Sequence, residues 1–311
     1  MRELSVCVVI PVYNGRDLVD KCIRALLDQT VKPDMIVCVD DASPDGSSGY
    51  LRRKFPFVQV LENKANLGVS ATYARGIKKA FEDGFERVWL LDQDDVPFKD
   101  ALENLLEASR GNKLAAFASA LVDPSATLVY PVLSRGCRDI SKPHVAVVTD
   151  FAGMFLDRRL IKDVGLPLAE LTMDAGDWEY CLRCRRQGYE MHVVPQSRIR
   201  HVPGCPVMVK RPLMMRSYEL RNGEIRKVSS KHGLTRLDSP QRYYTQTRNT
   251  ILVMKLPYAS MFFRKFALKL VAKHVLKILL YESRKAEKIW MVLRGVIDGL
   301  SRGLTGGGEE L

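Results

Sequence analysis

Residues 87–95 read RVWLLDQDD, an apolar run from Val88 to Leu91 that passes without a break into Asp92, Gln93, Asp94 and Asp95. The apolar run predicts a buried strand, and the acidic turn then sets several carboxylates at that strand's carboxyl end. Carboxylates one residue apart there can grip one hard cation together. Mg²⁺ and Mn²⁺ prefer oxygen ligands and bind through one or two carboxylates plus a substrate's phosphates. The same residue types also build ordinary Asp-rich turns that cap a following helix, here expected to begin near Phe98. The stretch alone leaves both readings open.

Upstream, short apolar runs alternate with helical periodicity. Strands are expected over 4–11, 35–39, 57–61 and 87–91, and helices over 16–29, 47–54 and 70–83. Strands joined by helical crossovers at this spacing predict an α/β protein with a mostly parallel sheet and helices on both faces. Ligands of such sheets bind beyond the strands' carboxyl ends. That rule selects the polar segments 12–15, 40–46, 63–68 and 92–95, each rich in Asp, Asn or Gly. Downstream, a β-branched run at 145–150, helices at 158–164 and 177–187, and a strand at 191–194 read as the other half of the sheet. From about 238 the pattern is helical to Leu300.

Composition narrows the class. At 46% apolar and 27% charged residues, the 311-residue chain is neither disordered nor fibrous. No window reaches the ~18 apolar residues of a membrane-spanning helix, and the run Val6 to Ile10 is too short for a signal peptide. Seven cysteines without a disulfide framework fit a reducing compartment, so a cytoplasmic location is expected. Cys181 and Cys184 form a lone Cys-x-x-Cys pair inside a helical pattern, which reads as packing before it reads as zinc or redox chemistry. The net charge of +12 is unevenly placed: residues 201–300 hold 20 Lys and Arg against 6 Asp and Glu, and residues 1–200 hold 27 against 28. Such a block favours an anionic partner.

The segments PVYNGRDLVDKCIRALLDQT, VDDASPDGS, NKANLGVSATYARGI and WLLDQDD resemble, in order and spacing, the family 2 glycosyltransferases of the GT-A fold. GDWEYCLRCRRQGYEMHVVPQSRIRH resembles that family's second signature, and the likeness covers roughly residues 5–201. NLGVSATYARG, DWEYCLR and VGLP are most similar to the bacterial galactofuranosyltransferase and rhamnosyltransferase branch. The resemblance implies a Rossmann-like, mixed and mostly parallel sheet with a C-terminal helical extension. It implies an inverting transfer from a UDP- or dTDP-linked sugar to a glycan or polyprenyl-linked glycan, with Mg²⁺ or Mn²⁺ as cofactor. Asp92 and Asp94 match the D-x-D carboxylates that hold metal and donor, and His201 matches the distal metal ligand. Asp41 matches the acidic contact to the nucleoside, and Pro11, Tyr13 and Asn14 match the nucleoside pocket. Asn66, Arg75 and Gln93 belong to the same donor-side motifs. Asp177 matches the general base. Ala74 departs from the pattern, since many members carry Asn there, and this weakens transfer of the detailed donor contacts. The implied organisation is a catalytic domain over 1–237, with a nucleotide-sugar half (1–110) and an acceptor half (111–237), then a basic amphipathic extension (238–305) and a flexible tail (306–311).

These residue types suit the chemistry. A departing diphosphate needs its charge neutralised, and the attacking hydroxyl must lose a proton to a carboxylate, a step worth ~10²- to 10⁴-fold. Asp177 could otherwise only complement a helix dipole, and His201 could be a satisfied structural residue. Asp174 and Glu179 are nearby rivals of Asp177, Glu179 reading rather as an acceptor or structural contact. Arg183, Arg185 and Arg186 either hold phosphates or form a solvated face. In the C-terminal part, Lys265, Lys269, Lys273 and Lys277 recur every four residues. With Tyr258, Phe262, Phe263, Tyr281 and Trp290 they predict a peripheral contact with anionic membrane. Arg248-Asn249 resembles a recurring family segment without an evident role. A sugar nucleotidyltransferase would carry a Gly-rich, Arg-containing loop where this chain has Pro11 to Asn14. A basic membrane- or RNA-binding module leaves the acidic motifs unexplained, and no nucleic-acid motif accompanies the charge.

Overall fold

The computed structural model describes residues 5–111, 115–122, 133–134, 142–201, 206–210, 217–221, 224–228, 232–236 and 238–304. Its first half runs β1 (Val6–Val12), α1 (Arg16–Leu27), β2 (Met35–Asp40), α2 (Ser47–Lys54), β3 (Gln59–Glu62), α3 (Val69–Glu82) and β4 (Arg87–Leu90). These are the expected strands and helices, with ends displaced by one or two residues. Next come β5 (Val96–Pro97), α4 (Ala101–Ala108), β6 (Ala115–Val122), β7 (Leu133–Ser134), β8 (His144–Val148), β9 (Met154–Asp157), α5 (Arg158–Val164), α6 (Gly176–Arg186) and β10 (Glu190–Arg200). Four short strands follow, β11 (Pro206–Lys210), β12 (Ser217–Arg221), β13 (Glu224–Val228) and β14 (His232–Arg236), pairing as β11–β14 and β12–β13. The last described elements are α7 (Pro240–Lys255), α8 (Met261–Tyr281) and α9 (Lys285–Ser301). Cys137, Pro203, Cys205 and the expected tail at 306–311 lie outside the described residues.

The main sheet has the order β3-β2-β1-β4-β9-β6-β10-β8-β7, with β5 on β10. β3, β2, β1 and β4 are mutually parallel, β6 and β10 are parallel, and β9 runs antiparallel between β4 and β6. Side chains of a strand alternate between faces, so β1 feeds two cores. Cys7 and Val9 join one with α3, α5 and α6, while Val6, Val8, Ile10 and Val12 join the other with α1, α2 and α4. The first core also takes Val253, Phe263 and Ala267 from the C-terminal helices. Gly76 is required where α3 crosses β1, since a Cβ there would stand 2.3 Å from Val9 Cγ1.

β10 differs from expectation. The strand expected to end at Val194 continues to Arg200, although Pro195 lacks an amide donor. A bulge accommodates it: Val194 pairs with Ser119, and the next pair is Arg198 with Ala120. The re-aimed end pairs Arg200 with Val96, and the His201 amide donates to the Val122 carbonyl (2.9 Å). His201 thus follows a strand instead of a loop, directly across from the turn after β4.

Candidate active site

The turn after β4 is tied by its own carboxylate. Asp95 is wholly buried, and its Oδ2 accepts from the Asp92 amide (2.8 Å) while its Oδ1 lies 2.8 Å from His201 Nδ1. The Tyr73 hydroxyl, from α3, donates to Asp92 Oδ1 (2.8 Å). Asp92, Asp95 and His201 offer ligand atoms all within 4.8 Å of one another, so the carboxylate that the structure joins to His201 is Asp95, with Asp94 on the same turn facing the cleft. Burial works against a charged His201, but the Asp95 bond and the charges of Asp95, Asp92 and Asp94 outweigh it and hold the imidazole up at about 10. Burial pushes Asp95 up to about 7 against the pull of His201, and burial plus the charge of Asp92 pushes Asp94 up as well.

Two adjoining chambers open here. The larger, ≈ 450 Å³, is lined by Ser70, Tyr73, Asp92, Asp94, Asp150, Phe151, Asp174, Asp177, His201 and Arg242 among others. The smaller, ≈ 220 Å³, is lined by Pro11, Val12, Tyr13, Asp41, Asn66, Thr72, Asp92, Gln93, Asp94 and Thr172 among others. Asp92 and Asp94 border both. Five carboxylates in the larger chamber face one histidine and one arginine, a set of oxygen donors and imidazole that fits a hard divalent cation.

The smaller chamber is built largely from side chains already in use. Asp41 is buried, with Oδ1 accepting from Asn63 Nδ2 (2.7 Å) and the Leu67 amide (2.9 Å), and Oδ2 from the Gly68 amide (2.9 Å). It pins the 63–68 segment as a wall. Gln93 brackets the Tyr13 backbone, accepting its amide (2.9 Å) and donating to its carbonyl (3.1 Å). Tyr13 is left exposed at the rim. Asn14 takes a left-handed φ of 48° and donates its amide to Ser43 Oγ (3.1 Å), and it lines neither chamber. Nor does Arg75, whose Nη1 donates to the Glu62 carbonyl (2.6 Å) and to Asn63.

Asp177 sits in the first turn of α6 on the wall of the larger chamber, its Oδ1 accepting from the Trp178 amide (2.8 Å). Asp150, two residues beyond β8, lines the same chamber. Loss of water and then the charge of Asp150 push Asp177 upward, and burial pushes Asp150 upward too. Asp150 is exposed and Asp177 half-buried, so the cleft's water limits the extent and leaves the direction.

Other residues singled out in the sequence make contacts within the fold. Glu179 is fully buried and bonds Arg183 (2.9 Å), which also donates to the Val164 and Leu166 carbonyls (2.7 and 3.0 Å). Both are structural, because their polar atoms are spent inside the fold. Arg185 donates to the Ala146 carbonyl, and Arg186 stacks on Tyr258. Cys181 and Cys184 are buried, with burial pushing the Cys181 thiol up to about 12, and both pack in the core. Sequence reasoning had no signal for Tyr73 or Arg242 at the site; Asp95 was visible as a member of the acidic turn, and Asp150 only as the acid ending a β-branched run.

The family model described as Glycosyl transferase family 2 matches residues 7–161. The dTDP-rhamnosyl transferase RfbF of Shigella flexneri is 24% identical over 256 residues, 78% of each chain. The galactofuranosyltransferase GlfT1 of Mycolicibacterium smegmatis is 29% identical over 135 residues, 42% of this chain and 44% of the relative. Among solved structures, GalNAc-T7 with UDP, GalNAc and Mn²⁺ superposes with a TM-score of 0.54 at 16% identity, over 65% of this chain and 45% of that one, and so speaks to the fold. The chain spans less than half the length of the latter two proteins.

Proposed function

The chain is a glycosyltransferase of family 2 with the GT-A fold, and on that premise we propose that it moves a sugar, rhamnose or galactofuranose, from a dTDP- or UDP-linked donor to a hydroxyl of a glycan or polyprenyl-linked glycan, with inversion. The observation that carries this is the pair of chambers meeting at Asp92 and Asp94. The smaller suits a nucleoside between Pro11, Tyr13, Asp41 and Asn66. The larger has room for the sugar and the acceptor alcohol, with Asp177 on its wall. Asp92, Asp94 and His201 would hold Mg²⁺ or Mn²⁺, the ring through Nε2 since Asp95 occupies Nδ1. When bound, such an ion neutralises charge on the departing diphosphate. Asp41 and Gln93 act in this reading by shaping the nucleoside wall. Asp177 accepts the acceptor's proton, and its raised affinity for protons matches that task.

Bacterial surface polysaccharide assembly fits the rhamnosyl transferase likeness. It also fits a cytoplasmic enzyme working peripherally at a membrane, with 238–305 as a helical extension of a 1–237 catalytic domain. No helix among the described residues is long and apolar enough to cross a membrane. On α9, however, Trp290, Leu293, Ile297 and Leu300 form an exposed stripe, with Trp290 62% exposed. On α8, Met261, Leu268, Leu276 and Leu279 are exposed beside exposed Lys265, Lys269 and Lys273. Apolar stripes flanked by lysines suit an anionic lipid surface. Lys277 leaves the expected set, as it pairs with Asp238 (2.7 Å), and so does fully buried Phe263.

The test is turnover of dTDP-rhamnose and UDP-galactofuranose with Mn²⁺, comparing wild type with Asp177→Asn. Wild type should consume one donor, and Asp177→Asn should bind it and lose about 10²-fold or more in turnover. Retained turnover removes Asp177 as base.

A further inference from the structure

Asn249 has no part in the chemistry above, yet it is fully buried in the middle of α7 with its amide entirely engaged. Its Nδ2 donates to the Met173 carbonyl (2.6 Å) and the Asp174 carbonyl (3.1 Å). Its Oδ1 accepts from Arg248 Nε (3.0 Å) and Nη2 (2.8 Å), so the adjacent arginine fixes which end of the amide faces the turn. Two more α7 residues reach the same place. Arg242 Nη2 donates to Asp174 Oδ1 (3.0 Å), and Gln246 Nε2 donates to the same oxygen (3.3 Å). Positions 242, 246 and 249 share one helix face.

What they hold is backbone that needs holding. Asp174 (φ 57°) and Ala175 (φ 64°) are successive non-glycine residues in the left-handed region, which L side chains rarely adopt. α6 starts immediately after them, and its N-cap position, Ala175, supplies no side-chain hydrogen bond. Asp177 is the second residue of that helix. The direction in which its carboxylate enters the cleft is therefore set by a strained turn whose restraint comes from α7.

We infer that Asn249 is a positioning residue, clamping the 173–175 turn so that Asp177 meets the acceptor alcohol; this rests on the reading of Asp177 as base. A misplacement of the order of 1 Å at a reacting group costs about 10²-fold in rate without a matching loss in binding.

The experiment takes the full chain with Asn249→Ala, Asn249→Asp and, as a milder deletion that spares the buried core, Gln246→Ala. Thr247→Ala is the control, removing a buried α7 side chain that makes no bond to the turn. Two readouts are taken: amide hydrogen exchange of the 173–180 segment, and Mn²⁺-dependent hydrolysis of dTDP-rhamnose and UDP-galactofuranose beside the affinity for dTDP and UDP. Asn249 variants should exchange faster at 173–180 and lose about tenfold to a hundredfold in kcat at unchanged nucleotide affinity, Gln246→Ala following with the same sign. Thr247→Ala should lower the melting temperature alone. Unchanged exchange in the Asn249 and Gln246 variants overturns the clamp, and needs no donor to do so. So does a kcat loss matched by equal loss of affinity, or by Thr247→Ala. If Asp177→Asn is inactive while Asn249→Ala is fully active, only the clamp falls; if Asp177→Asn stays active, the base assignment falls first.

Discussion

Asp95 shows how one side chain organises the acidic turn. With one oxygen on the Asp92 amide and the other on His201, it sets both the spacing of the carboxylates and the orientation of the imidazole. Carboxylates that orient a ligating histidine typically contribute 10- to 100-fold in metal affinity. Asp95→Asn should therefore weaken Mn²⁺ binding by about that factor, measured by titration calorimetry, and undiminished affinity would reduce Asp95 to a structural cap. A second consequence concerns protons. In its proposed role as base Asp177 would serve only when deprotonated, and burial with the charge of Asp150 and Asp174 raises it above its ordinary value. Activity should rise with pH through that elevated limb. Asp150→Asn removes one of the negative charges and should move the limb to lower pH in a kcat profile. An unmoved limb would show that Asp150 does not act on Asp177.

At the level of elements, close approach decides what the sheet tolerates. Gly76→Ala drives a methyl into Val9 across the α3–β1 contact, and overpacking of this kind costs ~1–3 kcal/mol. Urea unfolding should show that loss, while a neutral result would mean α3 shifts freely. The N-terminal strands and helices were legible because β1 alternates between two cores and α1 and α3 each keep one apolar face. β10 was not legible past Val194: Pro195 argues against a strand, and only pairing with β5 and β6 carries the chain through the bulge. α8 misled in a different way. Its lysine period was readable, but which lysine turns inward depends on Asp238 lying beside it. Serine at Trp290, Leu293 and Ile297 together should abolish sedimentation with vesicles rich in anionic lipid while leaving donor hydrolysis intact. Unchanged sedimentation would sink the membrane face.

Across the whole molecule, Asp41, Asp92, Asp177 and His201 stand far apart in the chain and converge on two adjoining chambers; the parallel-sheet rule selected the segments of Asp41 and Asp92, and the family resemblance selected Asp177 and His201. Their gathering was readable from segment order. Their individual surroundings were not, because these come from contacts between distant segments: Asn63 and the 67–68 amides consume Asp41, Glu62 and Asn63 draw Arg75 away, and α7 reaches back to residue 174. On the proposed function, two chambers sharing an acidic border predict that nucleotide and metal bind as one unit. Calorimetric titration of dTDP and of UDP, with and without Mn²⁺, into wild type and Asp94→Ala examines that coupling. One nucleotide should bind wild type at least about tenfold more tightly with Mn²⁺, a difference of ~1.4 kcal/mol, and this gain should vanish in Asp94→Ala. Binding indifferent to the metal in wild type, or a full metal effect surviving in Asp94→Ala, would contradict it.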